Sequence, residues 1–158
     1  WASIGIPGWA SDKAQAEMDT RLSSFYTGGK KVQAVLSPND SLAIGIEASL
    51  KSNGYKVGTD WPLVTGQDAD KANVKAILAG EQAMTVWKDT RKLGDRVFQM
   101  IQQIVNGQTV EVNDTTSYNN GVKVVPSYLL EPEVVTKDTV QTKLIDSGFL
   151  KASDVGLS

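Results

Sequence analysis

The chain has neither cysteine nor histidine among its 158 residues. Disulfides, zinc centres built on thiolates or imidazoles, cysteine nucleophiles and Ser-His-Asp triads are therefore excluded. Chemistry run by carboxylates or lysines stays open, but the commonest general base is missing. An excess of positive charge is also lacking. Sixteen Lys and Arg face 18 Asp and Glu, for a net charge of −2, which gives no reason to expect nucleic acid as a partner. No run approaches the roughly 18 apolar residues that cross a bilayer. Lack of cysteine suits an exported protein as well as a cytosolic one. The visible sequence holds no signal peptide and starts at Trp1 rather than at a methionine, so an excised or truncated piece is expected.

What is present suffices for one folded domain: 41% of residues are apolar and 22% charged, ordinary values for a chain that buries its own core. Ser3 to Ile6 reads as a short strand closed by Pro7-Gly8. Ser11 is placed to cap a helix carrying Ala14, Met18, Leu22 and Phe25 on one face. Lys31 to Leu36 reads as a second strand. Asp40 is placed to cap a second helix with the stripe Leu42, Ala43, Ile46 and Leu50, stopped by Asn53-Gly54. Pro62 to Thr65 is a third strand, Asp70 to Gly80 brackets a third helix, and Ala83 to Trp87 is a fourth strand. Strand and helix alternating over short connections predict an α/β fold, a parallel sheet with helices on both faces. A longer helix follows from Thr90 to Asn106, with Leu93, Val97, Met100, Ile101 and Ile104 on its apolar side. Beyond Gly107 come a polar stretch, an extended segment Val122 to Leu130 broken by Pro126, and a last helix from Asp138 to Ser147.

In open α/β sheets, ligands sit outside the carboxyl ends of the strands. Those positions here are Gly8-Trp9, Ser37-Pro38-Asn39-Asp40, Gly66-Gln67-Asp68 and Trp87-Lys88-Asp89. An indole, an amide, a carboxylate and an ammonium facing one crevice suit a small polyol. The carboxylate accepts from two hydroxyls, the amide donates and accepts, and lysine donates. The indole offers a flat wall to the C–H face of a sugar ring. Each of these residues also has a plainer reading. Asp40 and Asp70 are most simply helix caps and are left out of the site. Asn39 doubles as a turn residue, Asp68 as a cap or solvated acid, Lys88 as part of the charged run to Lys92, and Trp9 as a core or interface aromatic. Trp1, Trp61 and Trp87 read as structural or exposed.

The strings SPNDSLAIG, VTGQDADKANVKAILAGEQ, TVWKDTRKL and VNDTTSYNNGVKVVPSYLLEP resemble the C-terminal half of type I periplasmic binding proteins for monosaccharides, from about Gly8 to Gly148. The resemblance implies a periplasmic-binding-protein-like I fold that is incomplete, with most of the N-terminal lobe missing. It also implies that Trp9 stacks on the sugar ring, that Asn39 hydrogen-bonds ring hydroxyls and that Asp68 accepts from adjacent hydroxyls. Lys88 falls where xylose-type and multiple-sugar members place lysine and galactose-type members asparagine. No catalytic residue, cofactor or metal is implied.

By the same resemblance, residues 1–87 are part of the C-terminal lobe, 88–126 belong to the N-terminal lobe, and 127–158 return to the C-terminal lobe. The implied partners are a monosaccharide (an aldopentose or aldohexose such as xylose, glucose or galactose), the membrane permease of an ABC transporter, and the missing N-terminal half. The implied location is extracytoplasmic, either periplasmic or as a cell-surface lipoprotein. Two rivals accompany this expectation. One is the ligand-sensing domain of a LacI-type transcription regulator; the other is an α/β enzyme using Asp68 and Lys88.

Overall fold

The computed structural model describes residues 2–157; Trp1 lies outside them. The chain divides into two compact bodies, residues 1–87 with 134–158, and residues 88–133. Residues 127–133 cluster with the second body.

The first body is organised on a four-stranded sheet of order β1-β2-β3-β4, made of Ala34–Val35, Leu63–Gln67, Met84–Trp87 and Glu133–Val135. β1 pairs in parallel with β2 and β2 with β3. Parallel neighbours need a crossover, and α2 (Asp40–Ser52) and α3 (Lys71–Ala79) supply the two of them. α2 forms where the stripe Leu42, Ala43, Ile46 and Leu50 predicts it, and all four are buried. Gly54 and Gly80 take the positive φ that ends α2 and α3, a conformation glycine adopts without a Cβ clash.

α1 (Ser11–Phe25) buries Ala14, Met18 and Leu22 but leaves Phe25 exposed. Its N-cap is Ala10, without a side-chain bond, so Ser11 is the first helical residue and not the cap. With Val32, Tyr55 and Val64, α1 and α2 make one apolar core. A second core gathers Val74 and Ile77 of α3 with Trp87, Val135, Val140, Leu144, Leu150 and Val155.

Four elements differ from expectation. The strand expected over Lys31–Leu36 is only Ala34–Val35. Ser3 to Ile6 forms no strand, because a strand needs a neighbour for its N–H and C=O groups and apolar composition supplies none. Val122 to Leu130 is irregular, held by single bridges Asp114–Ser127 and Asn119–Val124 around Pro126, which has no N–H to give a ladder. The expected helix at Asp138–Ser147 is a 3₁₀ turn (Lys137–Thr139) followed by a π-helical turn (Gln141–Ile145). This winding keeps Val140 and Leu144 inward.

α1 and α2 pack tightly at Gly45, where a Cβ would overlap the Ser11 carbonyl and crowd the Gln15 amide. Both obstacles are backbone and cannot swing aside. Gly45→Ala is therefore expected to destabilise the first body by about 1–3 kcal/mol, the range for overpacking a tight contact. A chemical-denaturation midpoint equal to that of the unmodified protein would contradict this.

In the second body, α4 (Thr90–Val105) buries none of its residues. Its apolar side is present as predicted, yet Leu93, Val97, Ile101 and Ile104 are all exposed. Its polar side is tied down: Arg96 pairs with Glu111 at 2.8 Å and lies 3.5 Å above the Tyr128 ring centroid.

Candidate functional site

Because β1, β2 and β3 run parallel, the loops that leave them open on one edge of the sheet. The loop after β1 carries Ser37, Pro38 and Asn39. The Ser37 hydroxyl donates to the Asn39 carbonyl (2.8 Å), and the Thr65 hydroxyl of β2 donates to the Ser37 carbonyl (3.2 Å). Asn39 is itself the N-cap of α2, its Oδ1 accepting from the Leu42 amide at 3.0 Å. Capping and ligand binding, alternatives in the sequence, are compatible here. The cap occupies the amide oxygen and leaves the Nδ2 hydrogens as donors.

Asp40 is not the cap. It is the first helical residue of α2 and is fully buried. Its Oδ2 accepts from the Asp70 amide (2.9 Å) and the Thr85 hydroxyl (3.1 Å), and its Oδ1 from Gln82 Nε2 (2.8 Å). Asn73 Nδ2 donates to the Asp40 carbonyl (2.9 Å) and to Gln82 Oε1 (2.7 Å). Burial pushes the Asp40 carboxyl above the ordinary carboxylate range, and hydrogen bonds from Gln82, Asp70 and Thr85 pull it back. Gly66 is buried beside this cluster, and a Cβ on it would collide with Asp40 Oδ1 and Gln82 Nε2. Periodicity and capping rules do not find this network. Its only trace in the sequence is polar residues (Asn73, Gln82, Thr85) among apolar neighbours.

Asp68 follows β2 and is exposed, with φ 104°, and Ala69 after it has φ 57°. Neither is glycine, so both stand in a sparsely populated region of backbone space. β3 ends at Trp87, and Lys88, exposed, is the first residue of the second body. Trp87 is buried against Phe149, with ring centroids 5.1 Å apart, so it is structural. Trp61 is too, its indole N–H donating to the Glu81 carbonyl. Asp89 is the N-cap of α4 and pairs with Arg91 through both carboxylate oxygens (2.9 and 2.8 Å). Those bonds hold its carboxyl below the ordinary range.

Trp9 is placed differently from the other three. It closes a 3₁₀ turn, Pro7–Trp9, ahead of α1 and does not follow a strand, since Ser3–Ile6 is none. It is 59% exposed and has φ 53°. The sheet topology thus brings Asn39 and Asp68 to one edge; Lys88 follows β3 in the chain, and Trp9 lies in the turn before α1.

Two hollows lie in the first body, the larger of them reaching Pro38 beside Asn39. One, of about 560 Å³, is bounded by residues 2–6, α1 and the β1 edge, including Ile4, Phe25 and Leu36. The other, of about 330 Å³, lies between α2 and α3 and is lined by Glu47, Lys51, Lys75, Glu81 and small apolar residues. Glu47 is only 3% exposed, and its Oε1 accepts no hydrogen bond from the described residues. The nearby cation Lys51 is engaged by Glu81 at 2.8 Å. Burial first, and then the Glu81 charge, push the Glu47 carboxyl up to about 7.

Among the described residues, no group of His, Cys, Asp and Glu could hold a metal ion. No helix among them is long and apolar enough to cross a membrane.

Known proteins resemble this chain in sequence and fold. The chain is 48% identical to the multiple sugar-binding periplasmic receptor ChvE of Rhizobium radiobacter over 96% of its length. It is 36% identical to the D-xylose-binding periplasmic protein of Escherichia coli over 95%. It covers 43% of each of those proteins, so it spans less than half the length of these relatives. A solute-binding protein of an ABC transporter from Clostridium phytofermentans, solved with bound β-D-glucose, superposes with a TM-score of 0.87 at 44% identity, covering 94% of this chain and 45% of that one. The periplasmic binding protein domain matches residues 3–109, and with that match, the parallel sheet and the two crossovers all in agreement, the chain belongs to the periplasmic binding protein family.

Proposed function

We propose that the chain is the C-terminal part of the solute-binding component of an ABC-type monosaccharide uptake system, and that it binds sugar without transforming it. The observation that carries this reading is 48% identity, over nearly the whole chain, to a multiple sugar-binding periplasmic receptor. In this reading Trp9 supplies the stacking wall and Asn39 donates through Nδ2. Asp68 accepts from neighbouring hydroxyls, and Lys88 donates to another. Each hydroxyl withdrawn from water needs such a partner.

Residues 88–126 belong in this proposal to the N-terminal lobe, and 127–158 return to the C-terminal one. The exposed apolar side of α4 supports a covering surface supplied by the rest of the protein, since apolar area left in water costs about 25 cal/mol per Å². Sugar closes the lobes about their hinge, and the closed form is what the membrane permease recognises. An extracytoplasmic location follows. The named relatives are periplasmic sugar binders, which favours this role over a LacI-type sensing domain and over an enzyme built on Asp68 and Lys88.

The test is tryptophan emission of the full-length protein titrated with xylose, glucose and galactose. A saturable change is expected, with the sugar recovered unaltered. Trp9→Phe should diminish the change and weaken binding by about 1 kcal/mol, the scale of an aromatic stacking contact. Release of a converted product would refute the receptor role. The isolated 158-residue chain should bind weakly or not at all, because preorganised partner groups are missing.

A further inference from the structure

The Asp68 turn is held by its own backbone amides. Three consecutive N–H groups are occupied: Asp68 donates to the Val86 carbonyl (2.9 Å), Ala69 to the Thr85 hydroxyl (3.2 Å) and Asp70 to Asp40 Oδ2 (2.9 Å). Two of the three acceptors are linked, since the Thr85 hydroxyl donates to the same Asp40 oxygen. The residues so held have φ values of 104° and 57°, and such conformations persist only where surrounding structure over-determines them. The clamp is itself fixed, because Gln82 bonds Asp40 Oδ1 and also the Met84 carbonyl at 3.0 Å.

We propose that Asp40 is a positioning residue, whose buried carboxylate holds the Asp68–Ala69 turn in its strained form and so aims the Asp68 carboxylate; its consequence for ligand rests on the sugar-binding reading. Asp40 does not touch sugar in this scheme. All three of its side-chain bonds are accepted, so the ionised form is the one the clamp uses. An amide in its place would turn an NH₂ toward a donor and leave one of Asp70, Thr85 or Gln82 unsatisfied.

The experiment uses the full-length protein and Asp40→Asn, with Thr85→Val as a second variant that removes only a hydroxyl. Without sugar, amide hydrogen exchange at Ala69 and Asp70 is expected to accelerate at least tenfold in Asp40→Asn and severalfold at Ala69 in Thr85→Val. Amides in α4 should be unaffected. With glucose or xylose, affinity should fall at least tenfold in Asp40→Asn. The double variant with Asp68→Ala should bind no worse than Asp68→Ala alone, within about twofold, whereas the loss should multiply with that of Trp9→Phe.

General loosening of the fold would instead multiply with both partners. That result, or unchanged exchange at both amides in either variant, overturns the positioning role. Should Asp40→Asn not fold, Thr85→Val decides by the same two readouts. Absence of sugar binding by the unmodified protein would refute the receptor reading separately, because the exchange measurement needs no ligand.

Discussion

Replacing Asp68 by alanine in the full-length protein is expected to weaken monosaccharide affinity by roughly 2–4 kcal/mol, some 30- to 1000-fold. The magnitude combines two losses. A hydrogen bond to a charged acceptor contributes more than a neutral one, and the sugar hydroxyls that had donated to it stay buried with nowhere to donate. Asp68→Asn should fall between, since the amide oxygen still accepts but carries no charge. Neither change should cost much stability, because Asp68 is exposed and the turn is fixed by amides that every side chain retains. Titration calorimetry is the measurement. Affinity equal to that of the unmodified protein would remove Asp68 from the site.

The second large effect concerns stability and pH. Glu47 is buried on α2 with one oxygen unpartnered among the described residues, and its carboxyl is pushed up to about 7 from an ordinary 4.5. The folded state therefore holds this proton more tightly than the unfolded chain does. Its stabilising contribution is complete below about pH 4.5 and is lost as pH rises through about 7. The difference amounts to roughly 3 kcal/mol at alkaline pH.

Glu47→Gln, which keeps the shape and cannot ionise, should be more stable than the unmodified protein at pH 8 by roughly 2–3 kcal/mol. The two should converge near pH 4.5. Glu81 and Asp40 add like charge near Glu47, and Lys51 offers only partial relief because it pairs with Glu81. Urea midpoints measured at pH 4.5, 6 and 8 decide the matter. Parallel pH dependences in the two proteins would show that Glu47 ionises in the fold without penalty.

How far the sequence reaches depends on whether the partners of a residue are near or distant along the chain. The stripe Leu42, Ala43, Ile46, Leu50 and the stops at Gly54, Gly80 and Gly107 were legible, and all act in the structure as expected. Each depends on a single turn of helix or a single dihedral angle. β2 and β3 were legible within a few residues, since an apolar run between a turn and a helix cap has few other uses. The placement of Asn39 and Asp68 on one edge followed from strand-helix alternation alone, because parallel strands put their exits on the same side.

Other features lay outside that reach. Ser3 to Ile6 has the composition of a strand and is none, for lack of a pairing neighbour. Asp40 has the position of a helix cap and is instead the centre of a buried network. The cap falls to Asn39 because it is the residue with extended backbone and a side-chain oxygen at the Leu42 amide. Glu47 is a charged residue of α2, yet it is buried at the hollow between α2 and α3.

By itself the sequence determined α1 to α4 to within a residue or two, the parallel character of the central strands and the chemistry offered at their tips. Those are settled by side-chain periodicity and backbone preference within a few residues. The tertiary structure alone decided which polar groups are buried and what satisfies them. The donors to Asp40 come from Asp70, Gln82 and Thr85, 30, 42 and 45 residues further on. A buried carboxylate is stable only when such distant groups converge on it, and nothing local to Asp40 announces that they do.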